Sequence, residues 1–278
     1  MSVSEQAAKA EAFRALHKGP RALVMANAWD AMTARMFEAE GFPAIATTSG
    51  GIAGALGFRD GEGAPWDEVV GQTMRVARAV SVPVTADIEG GFGATPEEVG
   101  RHIGEIIAAG AVGVNLEDSI PGQGGMRTLD DAAARVRAAR AAATAAGVPI
   151  VINARVDLFI RHVGEGEAQL AAAIERGRAY LAAGADSIYP IGLRDEPTIK
   201  RLVDALKCPI NINVRAGHPT VAALEALGVR RITTATSLAM LALSAVRDAV
   251  RDIRANGRFD AISPSVTGAD MAQLWTKK

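Results

Sequence analysis

The sequence predicts an α/β protein folded as a (β/α)8 barrel, the architecture also called a TIM barrel. Short apolar segments with strand character alternate with helical segments along most of the chain, and eight such units can be marked out. Several helices end in a glycine followed closely by an apolar strand, as in EAEGFPAI, IAAGAVGV, LAAGADSI and EALGVRRI. This short connection is typical of parallel α/β units. An open doubly wound sheet is the alternative architecture for the same pattern.

Residue spacing and cap residues predict the individual elements in order. Residues 4–17 predict a leading helix, because apolar residues recur at helical spacing before a stop at Gly19. Asp30 is placed to cap the next helix, and Thr95 caps a later helix that starts at Pro96. Strands are predicted at residues 22–25, 44–47, 83–86, 112–116, 149–152, 186–189, 209–212 and 231–233. Barrel helices are predicted at residues 31–40, 66–80, 96–109, 129–146 and 165–183, with another after the eighth strand through residue 254.

Two glycine- or proline-containing stretches lie outside this repeating pattern. Residues 48–65 are interpreted as a loop, and the tail, residues 259–278, is broken at Pro264 and has room for one more helix. No linker rich in proline or serine interrupts the series. We therefore expect the chain, residues 1–278, to form a single domain, which is an ordinary length for a barrel.

Composition narrows the class of protein. The chain is 49% hydrophobic and only 4% aromatic, and its 30 basic and 31 acidic residues give a net charge of −1. This balance argues against nucleic acid or an anionic membrane as the main partner. Cys208 is the single cysteine, so no intramolecular disulfide can form, and the N-terminus has neither a signal peptide pattern nor a spanning segment. We expect a soluble cytoplasmic protein.

Polar residues follow the predicted strands at the end where barrels carry their chemistry. The third strand ends in TADIEGGFG, with two carboxylates two residues apart and then a run of glycines. Taken alone, this stretch fits a metal site and an ordinary polar strand end equally well. The neighbouring strands also end in polar residues, and this coincidence favours a functional site. The residues concerned on strands two to five are Ser49, Gly50, Gly51, Asp87, Glu89, Asn115, Glu117, Asp118, Asn153, Arg155 and Asp157.

The acids at these strand ends predict a divalent metal ion. Asp87, Glu89 and Glu117 form an acidic cluster, and crowded carboxylates repel one another unless a cation or protons intervene. Mg²⁺ suits such oxygen ligands, with Mn²⁺ as the alternative, whereas the chain offers no histidine and cysteine set for Zn²⁺. Arg155 supplies a planar fork for a carboxylate or phosphonate, and Ser49 with the following glycines can bind a second anionic group. The expected ligand is a small, oxygen-rich anion.

The sequence predicts no catalytic role for the remaining histidines or for the cysteine, with His218 left open. His17, His102 and His162 are interpreted as surface residues, while His218 follows strand seven and is left as a residue that could touch the ligand. Cys208 lies at the N-terminal end of its strand, where we expect a buried structural role. The glycines do not match a dinucleotide fingerprint, and no Ser-His-Asp set can be assembled.

Five segments together resemble the isocitrate lyase and phosphoenolpyruvate mutase superfamily. They are NAWDAMTARMFEAEGF, TTSGGIAGALGFRDGE, TADIEGGFG, GVNLEDS and INARVDLF, in the order and spacing typical of that superfamily. The resemblance covers most of the chain. It implies a (β/α)8 barrel, a homodimer or homotetramer that usually exchanges a C-terminal helix, and Mg²⁺ chelated by a 2-oxo acid or its enolate.

The resemblance also implies residue roles. Asp87 would bind the metal directly and contact the substrate, with Glu89 and Glu117 holding the ion directly or through water, Glu117 counting among the catalytic residues. Arg155 would contact the oxo acid and stabilise charge on its oxygen, and Asp60 matches a catalytic loop carboxylate placed over the site. The substrate-binding group would comprise Trp29, Ser49, Gly50, Gly51 and Asn153.

The gating loop departs from the superfamily pattern. Members that cleave isocitrate or methylisocitrate carry a lysine, cysteine, glycine and histidine signature there, whereas this loop reads EDSIPGQGGMRTLDD. Mutases pair an asparagine with a small hydroxyl residue, for which only Gln123 and Thr128 are loose counterparts. The strand-three motif also has Glu89 where an aspartate is usual. The chain thus resembles a carboxyvinyl-carboxyphosphonate phosphorylmutase-like member without the lyase cysteine loop.

Three functions follow as hypotheses. The first is a Mg²⁺-dependent lyase or hydrolase of a small 2-oxo acid or related dicarboxylate, in which a carbon–carbon bond is cleaved or formed through a stabilised enolate. The second is phosphonopyruvate hydrolase or phosphoenolpyruvate mutase chemistry on a phosphorus–carbon bond. The third is a non-catalytic protein that binds a 2-oxo acid. The tail after residue 259 either folds back or is exchanged between subunits.

Overall fold

The computed structural model describes residues 1–122, 124–263 and 266–276. The strands are β1 (Leu23–Met25), β2 (Asn27–Ala28), β3 (Ile45–Thr47), β4 (Val84–Asp87), β5 (Gly113–Glu117), β6 (Ser119–Ile120), β7 (Gly125–Met126), β8 (Val151–Val156), β9 (Ser187–Pro190), β10 (Asn211–Asn213) and β11 (Arg231–Thr233). The helices are α1 (Val3–Leu16), α2 (Ala31–Ala39), α3 (Ser49–Leu56), α4 (Trp66–Ala79), α5 (Pro96–Ala108), α6 (Leu129–Ala145), α7 (Gly166–Ala182), α8 (Glu196–Leu206), α9 (Val221–Ala226), α10 (Ser237–Asn256) and α11 (Gly268–Thr276).

Parallel strands close into a barrel, as the sequence predicts. One sheet has the order β2-β3-β4-β5-β8-β9 and the other β1-β11-β10. β1 and β2 are consecutive pieces of one strand, and a bridge between Ile188 and Ile210 joins β9 to β10. The two sheets therefore form a ring of eight strands, and the (β/α)8 fold is confirmed.

Strand register places the polar strand ends in two neighbouring rows. Asp87 pairs with Asn115 across β4 and β5, and Glu117 pairs with Arg155 across β5 and β8. Arg155 in turn pairs with Tyr189 of β9. Since neighbouring strands are parallel, these residues lie at one end of the barrel.

Two segments differ from the sequence prediction. The stretch read as a loop contains helix α3, which begins after an extended Thr48 and ends at Gly57 in the left-handed conformation (φ 90°). Its three glycines have low helix propensity, so the helix depends on packing of Ile52 and Ala53, which are buried. Strand β8 extends to Val156, four residues beyond its predicted end.

The leading helix α1 packs under the barrel, and the surface prediction for His17 is wrong. His17 and Phe13 are buried, and Nδ1 of His17 lies 2.9 Å from the carbonyl oxygen of Phe13. Arg231 of β11 is fully buried beside them and donates from Nη2 to Oδ1 of Asn115 at 3.1 Å. The helix thus supports a polar layer inside the barrel.

His102 is also buried rather than exposed, which corrects the second surface prediction. It lies on the inner side of α5, with Nδ1 2.8 Å from the carbonyl oxygen of Gly91 and its ring 4.5 Å from the ring of Trp66. Its role is to support the glycine loop that follows β4. His162 is exposed, as predicted.

The C-terminal part leaves the barrel along α10. Ala239 is its buried residue, and one apolar stripe of the helix is more than half exposed: Met240, Leu241, Leu243, Val246 and Val250. The chain then returns, and α11 packs on α2 of the same chain, where Nε of Arg35 donates to the carbonyl of Leu274 at 2.6 Å. The predicted break at Pro264 lies outside the described residues. No helix in the described parts of the chain is long and apolar enough to cross a membrane.

Candidate active site

A cavity of about 970 Å³ lies at the C-terminal ends of the barrel strands. Its polar lining residues come from successive strand ends, while Ile160, Ile191 and Leu238 contribute an apolar wall. Such a concave site with a few convergent polar groups is typical of a small-molecule site. The polar residues that matter below are Ser49, Asp60, Asp87, Arg155 and Tyr189.

Arg155 is held rigidly at the floor of this cavity. Its Nε and Nη2 donate to the two carboxylate oxygens of Asp157 at 2.7 and 2.9 Å, and its Nη1 lies 2.6 Å from Oε2 of Glu117. Burial alone would lower the pKa of Arg155, but the charges of Glu117 and Asp157 hold that pKa well above its ordinary value. A guanidinium carries five N–H groups, so two remain for a ligand.

Asp87 carries the carboxylate most available to a cation. Its Oδ2 accepts from the backbone N–H of Ser49 at 3.1 Å, whereas its Oδ1 is buried and has no hydrogen-bond partner. A buried acceptor without a partner is costly, so a ligand at this atom would recover the lost free energy. Burial raises the pKa of Asp87, and the charge of Arg155 opposes this rise.

Two further glutamates give the site an excess of negative charge. Burial raises the pKa of Glu89 to about 8, and the charges of Asp60 and Asp87 add to the effect. Burial also raises the pKa of Glu117 to about 7, against the opposing charge of Arg155. Raised carboxylate pKa values mean that the anionic forms are incompletely compensated. A cation among these groups would compensate them.

The N-terminus of α3 supplies an anion-binding edge. The first N–H groups of a helix have no intrahelical partner and attract negative charge. At Gly51 an added Cβ would lie 2.6 Å from a side-chain carbon of Thr48 and 2.8 Å from Cβ of Trp29, so a side chain here does not fit. At Gly50 an added Cβ would lie 3.1 Å from Oδ2 of Asp60. The glycines therefore let a loop carboxylate and an aromatic wall approach this helix end.

The donor set fits a divalent ion held mainly through one residue. Within residues 1–122, 124–263 and 266–276, no three acidic, histidine or cysteine side chains are grouped closely enough to hold an ion by themselves. Oε2 of Glu89 accepts from the backbone N–H of Glu62 at 2.8 Å, and Glu117 is paired with Arg155 and accepts from the hydroxyl of Ser119. The unpartnered oxygen of Asp87 fits a direct ligand, and the two glutamates fit contacts through water.

Comparison with known proteins identifies the family. The sequence model described as phosphoenolpyruvate phosphomutase matches residues 13–254. The chain belongs to this family. It therefore lies in the isocitrate lyase and phosphoenolpyruvate mutase superfamily, as the five sequence segments indicate.

Individual relatives cover several reaction classes within the superfamily. An oxaloacetate decarboxylase of Chromohalobacter salexigens is 31% identical over 87% of this chain and 84% of its own. The crystal structure of a candidate phosphonomutase from Burkholderia cenocepacia J2315 has 41% identity and a TM-score of 0.85, over 88% of this chain and 99% of that one. A phosphonopyruvate hydrolase solved with oxalate and Mg²⁺ has 26% identity and a TM-score of 0.81, over 96% of this chain and 94% of its own. The superfamily thus contains lyases, mutases and hydrolases of oxo acids.

The phosphomutase-family site brings together part of the predicted residue set. Ser49, Asp60, Asp87 and Arg155 line the main cavity. An adjoining cavity of about 260 Å³, between α3 and α10, is lined instead by the other residues predicted for this edge, which are Trp29, Gly50 and Gly51.

Asn153 is a correction to the predicted substrate-binding set. Its side chain is fully buried inside the barrel, where Nδ2 donates to Oδ1 of Asn115 at 2.8 Å and Oδ1 accepts from the hydroxyl of Ser187 at 2.6 Å. Strand register pairs Asn153 with Asn115, which lines the cavity, but Asn153 itself is not among the lining residues. Its amide is a structural element of the polar interior layer.

Several lining residues of the phosphomutase-family cavity were not predicted. They lie at the ends of the first strand and of the last three strands, to which the strand-end rule applies equally. The same rule, applied to all eight strands, predicts these residues. They include Asn27, Tyr189, Asn213, Arg215 and Thr236.

The lining of the main cavity does not include three other residues discussed in the sequence analysis, which are His218, Cys208 and Thr128. His218 is not among the lining residues, and its Nδ1 contacts the backbone of Arg215. Cys208 is half-buried and packs against the hydrophobic core, and burial raises the pKa of its thiol to about 12. Thr128 caps α6 by accepting from the backbone N–H of Asp131 at 3.2 Å, and Gln123 lies outside the described residues.

Proposed function

We propose that this chain is a Mg²⁺-dependent lyase that cleaves a carbon–carbon bond in a small 2-oxo dicarboxylate. Decarboxylation of oxaloacetate to pyruvate and carbon dioxide is the simplest reaction of this class. The proposal is supported by the family, by the similarity to an oxaloacetate decarboxylase, and by the common cavity of Asp87 and Arg155.

The composition of the loop after β5 carries the proposal. Residues 117–131 contain neither cysteine nor histidine. Cleavage of a hydroxy acid requires a base for the hydroxyl proton and an acid for the departing carbanion. Loss of the C4 carboxylate of a 2-oxo dicarboxylate such as oxaloacetate requires neither at the departing group, because this carboxylate is β to the oxo group and the bond electrons move directly toward the oxo oxygen. The available residues therefore suit an oxo substrate better than a hydroxy substrate.

Three carboxylates would hold the metal ion. Asp87 would bind Mg²⁺ directly through its unpartnered oxygen, while Glu89 and Glu117 would hold it through water. When bound, Mg²⁺ supplies Lewis-acid polarisation of the oxo group. The carboxylates also orient Arg155, since Glu117 occupies one of its N–H groups.

Arg155 would stabilise the charge that develops during cleavage. As the bond between C3 and C4 breaks, its electrons pass through C2 to the oxo oxygen and carbon dioxide leaves. The two remaining N–H groups of Arg155 are suited to donate hydrogen bonds to the oxo oxygen as negative charge develops there. Losing one such preorganised donor typically costs about 3 kcal/mol of transition-state stabilisation.

Tyr189 is the proposed source of the proton that completes the reaction. It lines the cavity, and burial raises the pKa of its phenol, so the hydroxyl stays protonated at neutral pH. Transfer of the hydroxyl proton of Tyr189 to C3 would convert the enolate to pyruvate. Solvent would then reprotonate the Tyr189 oxygen. The N-terminus of α3, with Ser49, would bind the second carboxylate of the substrate.

Mass detection of pyruvate from oxaloacetate tests this function. We expect Mg²⁺-dependent turnover that is lost on chelation, and a loss of at least about 100-fold in kcat for Arg155→Lys, which removes the planar fork. The slow decarboxylation of oxaloacetate by free Mg²⁺ is subtracted with a protein-free control. If the wild-type protein accelerates decarboxylation no more than Asp87→Asn, the proposed reaction is wrong.

Phosphonate chemistry is the second candidate. It is supported by the 41% identity to the candidate phosphonomutase and by the similarity to phosphonopyruvate hydrolase. Release of inorganic phosphate from phosphonopyruvate, without pyruvate formation from oxaloacetate, would favour it. Binding of oxalate and Mg²⁺ in calorimetry with no turnover of either substrate would instead favour a binding protein.

Assembly into a homodimer or homotetramer stays a prediction. The exposed apolar stripe of α10 supports it, since a soluble monomer rarely leaves a large contiguous apolar patch uncovered. Light scattering on the purified chain measures the assembly directly, and a monomeric mass at micromolar concentration would contradict it.

A further inference from the structure

Behind Arg155 lies a buried carboxylate, Asp118, that no step of the proposed reaction uses. Its side chain is about 2% exposed and accepts three hydrogen bonds. The donors are the backbone N–H of Asp157 at 2.9 Å, the hydroxyl of Tyr180 at 2.7 Å, and Nη1 of Arg176 at 3.1 Å. A carboxylate this well satisfied is fixed in position.

Asp118 is connected to the cavity through one residue. Asp157 accepts the guanidinium of Arg155 with both carboxylate oxygens, and its backbone N–H is the group that Asp118 holds. Because Asp157 lies just past the end of β8, its backbone is not fixed by strand pairing. Its hydrogen bond to Asp118 therefore contributes directly to where Arg155 lies.

The same carboxylate residue anchors the hairpin formed by β6 and β7. The backbone N–H of Arg127 donates to the carbonyl oxygen of Asp118 at 2.8 Å, which closes the base of the hairpin. Nη2 of Arg176 donates to the carbonyl of Arg127 at 3.0 Å, so one guanidinium holds both ends. The hairpin lies against the glycine loop that follows β4, because a Cβ added at Gly90 would lie 3.1 Å from Cγ of Pro121.

Both supporting side chains come from one face of α7. Arg176 and Tyr180 are four residues apart, so they lie on the same side of the helix, and Nη1 of Arg176 donates to the hydroxyl of Tyr180 at 3.0 Å. A buried cluster of an arginine, an aspartate and a tyrosine hydroxyl usually adds little folding stability, since apolar side chains of similar size often stabilise a protein as well. The cluster lies between Arg155 and the hairpin, which points to a role in positioning both.

We propose that Arg176 and Tyr180 are positioning residues that, through Asp118, couple the β6–β7 hairpin to the guanidinium of Arg155. When these contacts are intact, the hairpin and the guanidinium of Arg155 are held together in the positions that the reaction requires. This inference rests on the proposed function for the role of Arg155, but the coupling itself is a property of the described contacts.

Arg140 provides a matched control. It lies on α6 and pairs through Nη2 with Asp186 at 2.6 Å, at the opposite end of the barrel, where residues serve stability. Its side chain is 25% exposed and that of Arg176 is 14% exposed. Arg140→Met and Arg176→Met thus remove comparable ion pairs, only one of which touches the hairpin.

Kinetics and amide hydrogen exchange test the proposal on the full chain with Mg²⁺. We expect Tyr180→Phe to lower kcat for oxaloacetate about tenfold with KM changed less than about threefold, and Arg176→Met to lower it further. Amide exchange of residues 119–122 and 124–126 should accelerate about tenfold or more in both variants and stay at the wild-type rate in Arg140→Met. Arg176→Lys, which keeps the charge, should recover part of both effects.

The two readouts separate the possible failures. If wild-type protein does not decarboxylate oxaloacetate, the proposed function fails, while hairpin exchange and calorimetric affinity for oxalate with Mg²⁺ still decide the coupling. The coupling is overturned if Tyr180→Phe and Arg176→Met match Arg140→Met in both exchange and oxalate affinity. Tyr180→Phe keeps the test decisive if Arg176→Met fails to fold.

Discussion

Replacing His17 should reduce the acid sensitivity of the fold. Burial lowers the pKa of His17 to about 3, and the nearby charge of Arg231 acts in the same direction. In the unfolded chain this pKa is about 6.5. The unfolded state therefore takes up the proton first as the pH falls. The contribution of His17 to stability is complete above about pH 6.5 and is lost progressively between that pH and the folded-state pKa.

The magnitude follows from the width of that interval. Each pH unit below 6.5 costs about 1.4 kcal/mol, so the loss reaches about 2.7 kcal/mol at pH 4.5. His17→Gln has no such titration, and the other titrating groups are common to both proteins. We expect the stability difference between wild type and variant to change by about that amount between pH 7.5 and pH 4.5.

Urea unfolding at several pH values measures this difference directly. Both proteins are unfolded at pH 7.5, 6.5, 5.5 and 4.5, and the two free energies are subtracted at each pH. The difference should be constant above pH 6.5 and should then shift steadily in favour of the variant. Parallel stability curves for the two proteins down to pH 4.5 would refute a buried, neutral His17.

Three further predictions concern the metal, the glycines and the thiol. Asp87→Asn should abolish Mg²⁺ binding in calorimetry, because it removes the charge on the unpartnered oxygen, and unchanged affinity would exclude this residue as the ligand. Gly51→Ala should cost about 1 to 3 kcal/mol in thermal unfolding, since its Cβ would meet Thr48 at 2.6 Å. Gly54→Ala on the same helix, with nothing within 4 Å, should be neutral or stabilising, and equal effects at both sites would contradict the packing argument. Alkylation with iodoacetamide at pH 8 should leave turnover unchanged, because burial raises the pKa of Cys208 to about 12, and inactivation prevented by Cys208→Ala would show that this thiol matters.

Local sequence rules account for most of the barrel. The strand and helix order follows from apolar spacing, cap residues and the repeated glycine turn, and these are properties of neighbouring residues. Local sequence rules do not predict helix α3, because its glycines have low helix propensity. Its burial under Trp29 and α10 supplies the stabilisation that propensity lacks.

Burial on the helices was predicted less well than on the strands. His17 and His102 have polar rings, which favours a surface interpretation from sequence alone. Each instead finds a backbone carbonyl partner within its own or a neighbouring segment. The burial of each ring is decided only when α1 closes the barrel base and α5 packs against the glycine loop, so no local pattern reveals it.

Within the site, the sequence alone indicates which polar side chains follow the strands, because this depends on where each apolar run ends. Which of them share one cavity depends on how the strands and loops pack in three dimensions. The side-chain amide of Asn153 is bonded to Asn115 and Ser187 inside the barrel and does not line the cavity. Glu89, just past the end of β4, adopts a left-handed backbone (φ 50°) that breaks the strand alternation. The direction of a side chain at a strand end depends on register, on backbone conformation and on neighbouring elements, and these are set when the ring of strands closes.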